Sequence, residues 1–376
     1  MNIVVFLTFG VSIKDWKESG LLQREILLYQ QISSTSNINF TFITFGDSED
    51  EKYLNGHKII PYYKYNKYYK NKYITVLQSL LFTFKLKKLI AQPDLIKTNQ
   101  LLGSWMAILY KVITKKPLIV RTGYDLYRFS LHENKTRLKK SLYYILTQLA
   151  IIFSDAYLVT SYSDKKFLDL NFFKTKNKLQ ILPNWVEGKI TNTVTKIEKR
   201  HENKLLAVGR LEEQKNFSTL IRLLSSKDFH IDIVGTGSLK NSLALEAKEY
   251  GVQVNFLGKK NYNELIRMYP NYRLYVSTSL FEGNPKSTLE AMGAGCVAIV
   301  SNIENNSEII ENKITGFLHN FDNLVELIEQ NINNIDALDR LSKKATEKIR
   351  NNNSLDIISK KEIEIYNFYH LSLDLK

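Results

Sequence analysis

The chain has 376 residues, a formal net charge of +14 at pH 7 and a single cysteine. One cysteine, Cys296, excludes an intrachain disulfide and a Cys-based metal cage, and it fits a reducing, cytosolic compartment. No stretch reaches the roughly 20 uninterrupted apolar residues of a membrane-spanning helix, and the length favours two domains over one core.

Apolar strand-like runs alternate with helical patterns from the start. The opening MNIVVFLTFG lacks a basic leader and a small-residue cleavage site, so it reads as a first core strand, Ile3–Leu7. Further strands are predicted at Phe40–Phe45, Lys58–Ile60, Leu95–Lys97, Leu118–Arg121, Ala156–Val159 and Leu179–Leu182. Helices fall between them at Leu21–Ile32, Val76–Ala91, Leu102–Thr114 and Lys139–Phe153. Leu142–Phe153 is the most apolar stretch. It is too short to span a bilayer, contains Gln148, and reads as a buried helix. This alternation implies crossover units and a parallel sheet.

Residues 1–183 hold 27 Lys and Arg against 13 Asp and Glu, whereas residues 184–376 hold 25 of each. The first half therefore carries the whole net charge. Within it, Lys52–Ile90 has nine lysines, seven tyrosines and no acid. Such a segment suits an anionic partner, namely a membrane surface, a lipid pyrophosphate or nucleic acid. A solvated lysine-rich surface is the plainer alternative.

The rhythm breaks at residues 184–203, which are polar and follow Pro183, and this stretch reads as a linker. Alternation then restarts, with strands at Leu205–Val208, Ile231–Val234, Val254–Leu257, Leu274–Ser277 and Val297–Val300. Helices are predicted at Ser218–Leu224, Leu239–Tyr250 and Ser287–Gly293, and the chain is helical from Leu324 onward. The expected architecture is α/β, with two doubly wound Rossmann-like domains facing across a cleft. Their expected limits are 1–183 and 204–350, and the position of residues 351–376 allows a C-terminal helix to return to the first domain. Open sheets of this kind bind ligands beyond the carboxyl ends of their strands.

Three segments carry chemistry. In LLAVGRLEEQKNFSTLI, Gly209 permits a tight exit from a strand, Arg210 offers a planar fork of donors suited to phosphate, and Lys215 adds a second cation. Asn216 can cap the following helix, and a turn with surface cations is the structural alternative. In IVGTGSLKNSL, Gly235 and Gly237 lack the third glycine of a dinucleotide loop, so a tight turn is expected. LFEGNPKSTLEAMGAGC is the richest segment. Pro285 fits the start of a helix, leaving the amides of Lys286, Ser287 and Thr288 as an anion site, with Ser287 and Thr288 adding hydroxyls. Glu282 and Glu290 sit awkwardly beside a phosphate unless they face sugar hydroxyls, because a carboxylate accepts the two bonds that a vicinal diol donates.

FEGNPKSTLEAMGAGCVAIVS resembles the signature of retaining glycosyltransferase family 4 (glycosyl transferases group 1), with Glu282 and Glu290 as its spaced glutamate pair. The segments LPNWVE, LLAVGRLEEQKNFSTLI, IVGTGSLKNSL and VNFLGKKNYNEL resemble others of that family, in its order. The resemblance implies the GT-B fold and a nucleoside-diphosphate sugar donor, a UDP- or GDP-sugar, bound mainly by the second domain. Arg210 and Lys215 would contact the diphosphate beside Gly209, Gly283, Asn284 and Pro285. Gly258 would pass the base, Glu290 would bind the ribose and Glu282 the transferred sugar. In the first domain Ser19 and Gly20 match the family's glycine loop, without its usual double glycine. VRTGYDLYRF stands where many relatives carry a histidine, and it places Arg121, Tyr124 and Asp125 on the acceptor side.

The resemblance further implies transfer with retention, and no metal or other cofactor is expected. The expected acceptor is a saccharide or lipid-linked saccharide of cell-surface polysaccharide or glycolipid synthesis. The basic first half suits a peripheral position on the inner face of the cytoplasmic membrane. The competing readings are a nucleotide-sugar epimerase and a non-catalytic nucleotide-sugar-binding protein. Nucleic acid is not an expected partner, because no recognised module accompanies the basic segment.

Overall fold

The computed structural model describes residues 1–54, 56–90, 92–192 and 195–371. The chain divides into two compact units. One comprises Met1–Leu182 with the chain from Ser359 onward, and the other Pro183–Ile358.

The first unit is built on seven parallel strands: β1 (Asn2–Phe6), β2 (Asn39–Thr44), β3 (Lys58–Pro61), β4 (Leu95–Thr98), β5 (Leu118–Arg121), β6 (Ala156–Val159) and β7 (Leu179–Ile181). Their order across the sheet is β3-β2-β1-β4-β5-β6-β7. All four residues of β4, β5 and β6 are buried, as expected where helices cover both faces of a parallel sheet. On one face the helices Lys72–Leu89, Ser104–Thr114 and Arg137–Phe153 share a core with Val4, Phe6, Ile96, Val120 and Tyr157.

The helix Arg137–Phe153 is only half buried, contrary to the buried helix read from its sequence. Thr147, Gln148, Ala150 and Ile151 face the sheet, while Leu142, Ile145, Leu149 and Phe153 are exposed. A helix that is apolar all round can bury one face on a sheet, and the outer face stays open unless another layer covers it.

On the opposite face, Phe40 and Phe42 of β2 meet Tyr29 of helix Leu22–Thr35, and Phe40 also meets Tyr366 of the C-terminal helix Leu355–Leu371. That helix is tied down by a buried charge cluster. Lys97 of β4 donates to Tyr366 Oη at 2.8 Å and pairs with Glu362, which Arg121 Nη1 also approaches at 3.4 Å. Burial drives the Lys97 ammonium down to about 8. Burial also pushes Glu362 upward, but Lys97 and Arg121 outweigh it and hold the carboxyl below its ordinary value.

The second unit has six parallel strands: β8 (His201–Val208), β9 (His230–Val234), β10 (Gln253–Gly258), β11 (Tyr272–Ser277), β12 (Val297–Ser301) and β13 (Phe317–His319). The order is β10-β9-β8-β11-β12-β13. Three-residue β13 and the short helices Tyr262–Met268 and Glu304–Ile309 were too brief for periodicity to reveal.

The described residues of 184–203 pack into the second unit instead of forming a linker. Trp185, Val186, Ile190 and Ile197 are buried, and Val186 N–H donates to Asn353 O at 2.7 Å. Arg200 is buried and donates to Gly295 O at 2.7 Å and to Thr195 O, while β8 begins at His201. Scattered apolar side chains, seated one by one in the cores of the second unit, leave no period to read. The buried Arg200 satisfies carbonyls that the turn after helix Lys286–Gly293 leaves open.

Candidate functional site

Three loops leave the carboxyl ends of β8, β9 and β10 in close register. Gly209 N–H donates to Val234 O at 3.0 Å, Leu211 N–H to Thr236 O at 3.0 Å, and Gly235 N–H to Gly258 O at 2.9 Å. Gly235 has φ +149°, and a Cβ there would lie 1.8 Å from Gly209 O; one on Gly237 would lie 2.3 Å from Leu211 O. These glycines let two loop backbones touch, a more specific role than the tight turn expected from sequence.

The loop after β8 is stitched to the loop after β11. Leu280 N–H donates to Gln214 O at 2.9 Å, Gln214 Nε2 to Phe281 O at 2.9 Å, and Thr278 Oγ1 to Lys215 O at 3.1 Å. Lys215 pairs with Glu282, their side chains only 13% and 7% exposed. A Cβ on Gly209 would press on the Lys215 stem at 2.9 Å. The backbone at Gly209 and the Lys215 side chain therefore share one small space. Arg210 stays exposed, with Nη2 donating to Gln214 Oε1 at 3.0 Å. Asn216 stands at φ 51° before helix Phe217–Leu223, and its side chain accepts from Thr219 Oγ1 rather than capping a backbone amide.

The helix Lys286–Gly293 begins directly after Pro285, which supplies no side-chain cap. Its first turn presents Lys286, Ser287 and Thr288. Ser287 Oγ accepts from Tyr275 Oη at 3.0 Å, Thr288 is buried, and Lys286 Nζ lies 5.8 Å from the Trp185 ring centre. Gly283 is buried in the approach, and Asn284 is pinned by Asn184, whose N–H donates to Asn284 Oδ1 at 2.9 Å. Glu290 is 2% exposed and accepts from Tyr269 Oη at 3.1 Å. The two glutamates thus have different partners, a lysine for Glu282 and a phenol for Glu290. Gly258 has φ +67° and open space where a Cβ would stand.

The first-unit candidates are less gathered. Ser19 and Gly20 form the joint between helices Ile13–Glu18 and Leu22–Thr35. Gly20 has φ +67°, and Ser19 Oγ donates to Trp16 O at 3.1 Å. Arg121 is 9% exposed and turns inward to Glu362, so its side chain belongs to the charge cluster and not to an acceptor-facing surface. As the last residue of β5 it follows the strand's alternation onto the face covered by the C-terminal helix. Tyr124 is exposed and packs against Phe129 at 4.7 Å.

Asp125 is buried and caps helix Leu126–His132 by accepting from Arg128 N–H at 2.7 Å, while its Oδ2 has no hydrogen-bond partner. Burial raises its carboxyl to about 7, and nearby Asp164 adds to the rise. Sequence reading missed Gln214, Tyr269 and Asn184. Gln214 had a local signal, lying between Arg210 and Lys215, and Asn184 lies within the family-like segment LPNWVE. Tyr269 acts from a separate element.

The fold is that of the GT-B glycosyltransferases. Sucrose-phosphate synthase from Thermosynechococcus elongatus superposes with a TM-score of 0.79 over 99% of this chain and 100% of that one, at 14% identity. Anabaena Alr3699/HepE, solved in complex with UDP-glucose, gives 0.75 over 98% and 99% at 15% identity. Residues 190–348, most of the second unit, match the family described as glycosyl transferases group 1.

Among curated relatives, the chain is 25% identical over 299 residues to the Escherichia coli UDP-Gal:alpha-D-GlcNAc-diphosphoundecaprenol alpha-1,3-galactosyltransferase, spanning 73% of this chain and 75% of that protein. It is 26% identical over 227 residues, 58% of this chain and 59% of the other, to a Campylobacter jejuni alpha-1,4-N-acetyl-D-galactosaminyltransferase named for a PP-undecaprenol-linked saccharide.

Proposed function

We propose that this chain is a retaining glycosyltransferase that moves a sugar from a nucleoside-diphosphate sugar to a hydroxyl of a lipid-linked saccharide, without a metal. The observation that carries this reading is the Lys215–Glu282 pair. It is set between the Gly209 loop and the start of helix Lys286–Gly293, with Glu290 one turn further on. Arg210, Lys215 and the amides of Lys286, Ser287 and Thr288 would take the diphosphate. Glu290 would take the ribose and Glu282 the transferred sugar. Gly258 would leave room for the base. The relatives named for diphosphoundecaprenol-linked saccharides support the acceptor class.

In the proposed step the bond from the anomeric carbon to the diphosphate oxygen breaks. The acceptor oxygen bonds to that carbon from the same face, and its proton passes to the departing diphosphate. Lys215, Arg210 and the helix amides stabilise the growing charge, a contribution fixed in place before reaction. No carboxylate is asked to act as a covalent nucleophile.

The test is a panel of nucleotide sugars, scored by thermal shift and by transfer to a synthetic polyprenyl-diphosphate saccharide, with NMR of the product's anomeric centre. One donor should raise the melting temperature and give product with the donor's anomeric configuration, undiminished by EDTA. An inverted product, or activity lost in EDTA and restored by a divalent ion, would overturn the mechanism. A donor converted to its epimer without acceptor would identify an epimerase instead.

A further inference from the structure

The helical layer formed by Lys72–Leu89, Ser104–Thr114 and Arg137–Phe153 has an outer surface that the fold leaves uncovered. On the first helix Tyr73, Leu77, Leu81 and Phe84 recur every three or four residues, and on the third Leu138, Leu142, Ile145 and Leu149 do the same. Each set lies on one stripe of its helix. All eight are between 41% and 70% exposed. The middle helix lies between the other two and adds exposed Val112. Isolated exposed leucines are ordinary, but two apolar stripes on the outer helices of one layer, flanking exposed Val112, are more than scattered residues and mark an interaction surface.

The charge around these stripes selects the occupant. The three helices contain eight lysines and arginines and not one Asp or Glu. Lys85, Lys87 and Lys88 are exposed beside the first stripe, and Lys139 beside the second. Tyr65 and Tyr73 are exposed next to lysines that approach their rings at 6.0 and 5.6 Å, an amphipathic pairing suited to a headgroup region. A second copy presenting the same lysine-rich helices would meet like charge. A surface of anionic headgroups over hydrocarbon meets both the lysines and the leucines.

We infer that this face of the first unit docks on anionic lipid bilayers, with both leucine stripes entering the acyl boundary. The inference deepens the proposed function, since a lipid-linked acceptor is presented at a bilayer, but its observations are independent of the donor site.

The experiment is vesicle co-sedimentation of the full chain, with phosphatidylglycerol–phosphatidylcholine against pure phosphatidylcholine vesicles. The wild type should pellet at least tenfold more with the anionic vesicles at low salt and release as salt rises. Leu81→Glu/Leu142→Glu should lose at least tenfold in partitioning while keeping its melting temperature and its nucleotide-sugar hydrolysis in solution. Lys85→Gln/Lys87→Gln/Lys88→Gln should lose the anionic preference. A wild type that stays in the supernatant with anionic vesicles, or a double Glu variant that pellets equally, overturns the inference. So does a solution dimer that the double variant splits while vesicles bind neither form. Vesicle binding without any donor hydrolysis would leave this surface standing and count against the proposed function.

Discussion

Lys215 and Glu282 are 67 residues apart in sequence and pair at the centre of the candidate site. Neither residue's partner is visible from its own neighbourhood. Lys215→Ala should lower kcat/KM for the donor by about 100-fold or more, the scale of a lost transition-state charge contact of roughly 3 kcal/mol. Initial-rate kinetics check it, and unchanged values would remove Lys215 from the site.

Asp125 gives a second residue-level expectation. Its folded value of about 7 lies above the ordinary 3.8, so the folded chain keeps a proton that the unfolded chain has released. The stabilisation is complete below about pH 4 and lost as pH rises through about 7, up to ~4 kcal/mol in all. Asp125→Asn keeps an acceptor for Arg128 N–H and removes the titration. The variant should therefore melt higher than wild type at pH 8, with the difference shrinking toward pH 4.5. Thermal scans across that range decide it, and parallel pH profiles would show that Asp125 does not titrate there.

At the scale of elements, the C-terminal helix is held to the first sheet by Glu362 between Lys97 and Arg121. Glu362→Leu would leave two buried cations facing each other, at a loss of about 3–5 kcal/mol. Denaturant unfolding of the first unit should show that loss, and a variant as stable as wild type would mean that solvent reaches the cluster. Strand and helix positions were legible because buried parallel strands are continuous apolar runs and longer helices keep a 3.6-residue period. β5 and β6 match their expected limits to the residue. The segment 184–203 was illegible for the opposite reason, since it packs through isolated side chains and a buried arginine. Half of helix Arg137–Phe153 was misread because hydrophobicity alone does not say whether another layer will cover it.

At the scale of the whole molecule, the two units are unequal in continuity. The second is a single stretch, Pro183–Ile358, whereas the first is completed by a helix that follows the second in sequence. Truncation after residue 358 should therefore strip the first unit of its partner for Lys97 while leaving the second unit intact. Limited proteolysis of the truncated chain should degrade the first unit and spare a fragment starting near residue 183. If both units resist protease as in the full chain, the helix is not needed for the first unit's stability.

The sequence alone determined the alternation of strands and helices, the restart that makes two domains, and the composition of LFEGNPKSTLEAMGAGC. These follow from local periodicity and from residue types that only certain backbone positions and ligands require. Tertiary structure alone decided which charges meet. It turned Arg121 inward to Glu362, joined Lys215 to Glu282, gave Glu290 to Tyr269, and left two leucine stripes uncovered. Such pairings depend on crossover connections that bring distant residues within a few ångströms, and no local pattern in a chain records them.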